Sequence, residues 1–116
     1  MSTFARNIRP FVDAELAAAA MQGPDEFAHL ERAHVLGQAS TREHVRVHWR
    51  MLRWALRHRD AREFFGQITR TLGAATKTFI GWVPTGNTGG ANVSPIEPMP
   101  IDPALAEIIE KARAPR

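Results

Sequence analysis

The sequence predicts an all-α fold of two stacked antiparallel helical hairpins, tetratricopeptide-like, with a Gly/Pro-rich extended arm and a short C-terminal helix. Three observations carry this expectation. Apolar residues between positions 4 and 80 recur at helical spacing, the segments are separated by helix caps and stops, and no segment shows the alternation of a strand. The first helix is expected from about Pro10 to Gln22, carrying Phe11, Leu16 and an alanine run, with Gly23 as its stop. The second begins at Pro24-Asp25-Glu26, acids suited to the positive end of a helix dipole, and runs through Phe27, Leu30, Ala33 and Leu36 to Gly37. The third opens on Ser40-Thr41-Arg42-Glu43, read as a capping box, and continues to about His58. The fourth starts at Asp60-Ala61-Arg62-Glu63, with Phe64, Phe65, Ile68, Leu72, Ala75 and Phe79 as its core stripe.

The hairpin turns at Gly23-Pro24-Asp25 and His58-Arg59-Asp60 are offset by about 35 residues, close to the period of about 34 in tetratricopeptide hairpins. From Gly81 the character changes. Residues 81–103 hold four glycines and five prolines, an arm expected to lie on the helical body of residues 1–80. Asp102-Pro103 then caps a helix over residues 104–116. Its face of Leu105, Ile108 and Ile109 either packs within the chain or forms a homodimer. The three segments form one domain.

The 116 residues contain no cysteine, which excludes disulfides, thiolate metal sites, thiol nucleophiles and iron–sulfur clusters. No run approaches the roughly 20 apolar residues of a membrane span, and no signal-peptide core is evident, so a cytoplasmic location is expected. Thirteen of the fifteen cations are arginine, against twelve acids and a net charge of +3. That balance argues against a general nucleic-acid binder, although segment 42–62 alone holds seven arginines.

The third helix sorts its side chains onto three faces at roughly 100° per residue. Val45, Trp49, Leu52 and Leu56 form an apolar stripe, and Arg46, Arg50, Arg53 and Arg57 form a basic one. His44, Val47, His48, Met51, Trp54, Ala55 and His58 occupy the rest. His44 and His48, at i and i+4, point the same way and can chelate one ion. His29 and His34 diverge by about 140°, so at most one of them joins the pair. Glu43 or Glu31 is a candidate carboxylate ligand. Imidazole without thiolate favours zinc, nickel, cobalt, copper or iron. The order Glu-His-x-x-x-His is not that of a zincin. Gly86-Asn87-Thr88-Gly89-Gly90 lacks the Lys-Ser/Thr ending of a phosphate loop.

Several runs together resemble a known family. They are Phe4-Ala5-Arg6-Asn7-Ile8-Arg9-Pro10, His29-Leu30-Glu31-Arg32-Ala33-His34-Val35-Leu36-Gly37-Gln38, His44-Val45-Arg46-Val47-His48-Trp49 and Gly81-Trp82-Val83-Pro84. The chain resembles, over essentially its whole length, a small bacterial domain-of-unknown-function family, number 3703. The resemblance implies a short helical cytoplasmic protein with no established activity, found near heavy-metal-resistance genes.

Two functional expectations follow. The first is a non-enzymatic binding module that takes a protein segment or small acidic ligand through Arg46, Arg50, Arg53, Trp54, Trp82 and Asn87. The second is a transition-metal-binding accessory protein, linked to metal resistance, using His44 and His48 with His29 or His34. A metal-dependent enzyme built on the same histidines ranks below both, since no catalytic constellation accompanies them.

Overall fold

The computed structural model describes residues 2–79, Gly89 and residues 99–114, with the side chains of 74–79 excepted. Among these the chain forms five helices and no strand: α1 (Thr3–Ala19), α2 (Glu26–Gly37), α3 (Thr41–Arg57), α4 (Ala61–Phe79) and α5 (Pro103–Arg113). The expected arm, including Trp82 and Asn87, lies outside the described residues apart from Gly89 and its last few positions. No helix among the described residues is long and apolar enough to cross a membrane.

The first helix begins seven residues earlier than the sequence reading placed it. Ser2 is its true N-cap, its hydroxyl accepting from Ala5 N at 3.1 Å, and Pro10 sits inside the helix. An interior proline costs about 3 kcal/mol. Fully burying an aliphatic side chain returns about 1.5–3 kcal/mol, and Ile8, Val12 and Leu16 on this helix are all buried to 2% or less. The burial outweighs the proline, whose ring faces solvent. At the far end the chain leaves α1 before Gly23. Gln22, with φ of 56°, makes the left-handed turn.

Neighbouring helices pack in chain order, α1 on α2, α2 on α3 and α3 on α4. Helix α5 returns to cover α1 and α2. Leu105 and Ile109 are buried in the same core as Ile8, Val12 and Leu36, so the apolar face of the last helix is used within the chain. Asn7 Nδ2 fastens the two ends together by donating to the Ala112 carbonyl at 3.0 Å. Asp102 caps α5 as expected, accepting from Ala104 N at 2.8 Å, and Asp60 caps α4 through Glu63 N at 2.9 Å.

Two expectations about local structure are corrected. Ser40 makes no side-chain cap bond to α3, and the Glu43 carboxylate turns instead to Arg46 Nη1 at 2.9 Å. The core-facing side of α4 also differs from the one assigned, and α3 buries the side that carries its histidines, not its stripe of Val45, Trp49, Leu52 and Leu56. Trp49, Leu56, Phe65 and Leu72 are all more than half exposed, and Ile68 is 39% exposed. The inward positions are His44, Val47, His48, Met51 and Ala55 on α3, and Glu63 and Gln67 on α4. A polar edge of α4 therefore lies against the histidine-bearing edge of α3.

Candidate metal centre

His34 comes from the last turn of α2, and His44 and His48 come from the first half of α3. The tight turn at Gln38–Ser40 folds these two helices together. It needs close approach at Gly37, where an added Cβ would lie 2.8 Å from Glu43 Cβ and 3.3 Å from Val12 Cγ2. The i, i+4 spacing aims His44 and His48 at one point, and the turn brings His34 to meet them. All three rings are buried to 5% exposure or less.

The ring atoms that meet are the Nε2 nitrogens. His34 Nε2 is 3.0 Å from His44 Nε2 and 3.1 Å from His48 Nε2, and one ligand nitrogen from each ring lies within 4.8 Å of the others. A tetrahedral ion about 2.0–2.1 Å from two imidazole nitrogens holds them about 3.4 Å apart. Two of the three separations are already close to that value. The third, at most 4.8 Å, closes by up to about 1.4 Å to reach the same tetrahedral spacing around one zinc-sized ion.

Behind the cluster, α4 fixes the protonation of one ring. Gln67 is fully buried. Its Nε2 donates to Glu63 Oε2 at 2.6 Å and to the Gly89 carbonyl at 2.8 Å. With both acceptors on the amide nitrogen side, Oε1 faces His48 Nδ1 at 2.5 Å, so that ring nitrogen carries the proton and donates. In its neutral form His48 then presents the bare lone pair of Nε2 to the cluster. A carboxylate–amide–imidazole chain of this kind orients a ligand and raises its basicity. Gly89 closes over the other side. With φ of +84°, it rests so near His34 that a Cβ there would lie 2.5 Å from His34 Cδ2.

The remaining predicted ligands are elsewhere. His29 bonds Glu15 Oε2 through Nδ1 at 2.9 Å and approaches Asp25 at 3.4 Å, so it is tied to the α1–α2 surface. Neither Glu43 nor Glu31 belongs to the cluster. Sequence reasoning missed Gln67 and Gly89, and it read Glu63 only as a capping position. The available signal was the i, i+4 spacing of Glu63 and Gln67, which places two polar side chains on one edge of α4 beside its apolar stripe.

The arginine face divides. Arg46 is held by Glu43 and by Asp13 Oδ1 at 2.5 Å. Burial pulls its pKa down, but the hydrogen bonds and charges of Asp13 and Glu43 prevail and hold it above the ordinary arginine value. Arg57 pairs with Glu26. Arg50 and Arg53 form no ion pair with any described acid. Trp54 turns away from these arginines, packing on Phe27 at 4.5 Å and stacking on His58 at 4.4 Å between ring centroids. On α4, burial lowers the pKa of Arg70 against the opposing pull of Glu63.

Compared with known proteins, residues 6–109 match the model of a family described as a protein of unknown function (DUF3703). No curated protein and no solved structure matches the chain.

Proposed function

The chain belongs to this DUF3703 family, and we propose that it is a histidine-based transition-metal-binding protein whose ligands are His34, His44 and His48. One observation carries the reading: three buried Nε2 atoms meet at a single point, with the tautomer of His48 set from behind by Gln67. Three neutral imidazoles without thiolate suit zinc, copper, nickel, cobalt or iron. The buried Glu63 carboxylate, one amide away from His48, offsets part of the ion's charge. Rings buried this deeply favour holding an ion over turning over a substrate, so the reading is of an accessory protein of the cytoplasm and not of an enzyme. The order of helix contacts, α1–α2–α3–α4, also supports reading the body as two stacked hairpins of tetratricopeptide type.

Isothermal titration of Zn²⁺, Ni²⁺ and Cu²⁺ into the tag-free protein tests the metal reading. Wild type is expected to take up one equivalent of at least one of these ions in a saturable transition. A His44→Ala/His48→Ala variant loses that uptake, and His29→Ala keeps it. Equal weak uptake by wild type and the double variant would end the proposal.

A further inference from the structure

On the opposite end of α3 from the histidines, a cleft of about 440 Å³ opens between the end of α1, the start of α2 and the last turns of α3. Its polar wall is Arg50, Arg53 and Arg57 at helical positions i, i+3 and i+7, and its apolar wall includes Leu30 and Leu56. The sequence explains both the opening and the charge. The alanine run that ends α1 supplies side chains too short to fill the space facing α3, and no acid that could reach Arg50 or Arg53. Among the described residues Glu26, at the start of α2, is the only acid lining the cleft, and it is engaged by both terminal nitrogens of Arg57. Three guanidinium groups against one carboxylate leave the cleft with an excess of two positive charges.

We infer that this cleft binds a small organic dianion, whose charged carboxylate or phosphate oxygens take Arg50 and Arg53 while its carbon skeleton lies on Leu30 and Leu56. Guanidinium forks spaced along one helix edge match carboxylate or phosphate oxygens in pairs, each bond being charge-assisted. The Glu26–Arg57 pair shows how a carboxylate is received on the same wall. The volume lies within the usual range of small-ligand sites, about 300–1,000 Å³. The inference uses no residue of the metal centre and stands or falls apart from it.

Succinate and inorganic phosphate are the probes, titrated separately into ¹⁵N-labelled full chain while amide shifts are followed. A saturable response at millimolar concentration around Arg50, Arg53 and Leu30 is expected. A stronger response to succinate than to phosphate points to a dicarboxylate, and the reverse order points to a phosphate ester. Arg50→Ala/Arg53→Ala is expected to weaken binding about tenfold or more, the equivalent of one charge-assisted bond. Arg42→Ala/Arg62→Ala, which removes the same net charge outside the cleft, leaves binding unchanged. The inference is overturned by a wild-type response that does not saturate with either probe, or by equal weakening in the two double variants.

Discussion

Gln67 is a single neutral side chain on which the chemistry of the histidine cluster turns. Its amide has one orientation that satisfies Glu63 and Gly89 together, and that orientation obliges His48 to donate from Nδ1. Replacing it with leucine, Gln67→Leu, removes the acceptor opposite His48 Nδ1 and a donor to the buried Glu63 carboxylate. Loss of such an outer partner costs about 10–100-fold in metal affinity. Loss of these buried hydrogen bonds costs about 1–3 kcal/mol of stability. Zn²⁺ titration and urea unfolding of Gln67→Leu are expected to show both losses. Gln67→Glu keeps an acceptor opposite His48 and is expected to retain more of the affinity. An unchanged Zn²⁺ isotherm for Gln67→Leu would show that the His48 tautomer does not matter to binding.

Helix α4 was assigned the wrong inward face from its periodicity, and the consequence can be measured. Met51, on the face where α3 carries its histidines, is fully buried, whereas Leu72 on the expected core stripe of α4 is 72% exposed. Truncating a buried methionine to alanine costs about 2–5 kcal/mol. Surface substitutions are usually within about 0.5 kcal/mol. Chemical denaturation should therefore find Met51→Ala severely destabilised and Leu72→Ser nearly unchanged. Had the expected stripe of α4 faced the core, Leu72→Ser would have been among the costliest changes in the chain. Periodicity identified which residues share a face. It did not show which face turns inward, because α4 carries an apolar stripe beside a polar pair whose outside partners, His48 and the Gly89 carbonyl, lie far along the chain.

For the whole molecule, an ion at the cluster would tie α2 to α3 directly and α4 to both through Gln67. Of these, α2 and α3 pack on α1, and α2 also packs on α5. Binding only the folded form stabilises it by RT ln(1 + [L]/Kd), about 2.7 kcal/mol at a hundredfold excess over Kd. The expected result is a Tm that rises with Zn²⁺ and falls back on adding a chelator. His44→Ala/His48→Ala should show the same Tm with and without the ion. A shift that persists in the double variant would place the ion elsewhere on the protein.

The sequence by itself determined the helical class, the approximate extents of α2, α3 and α4, the Asp60 and Asp102 caps, and the pairing of His44 with His48. Each of these is a local property, fixed by residues within a turn or two of one another. The start of α1 was also local, yet Pro10 obscured it, because a proline signals a helix start more strongly than Ser2 does. Only the tertiary structure decided that His34 and not His29 meets the pair, that Gln67 and Glu63 stand behind it, and that Arg50 and Arg53 keep no acid partner among the described residues while Arg46 and Arg57 do. Those outcomes depend on which helix faces which across the core. That choice is made by the summed burial of Ile8, Leu30, Leu36, Met51 and Leu105, residues far apart in the chain whose contacts no local spacing encodes.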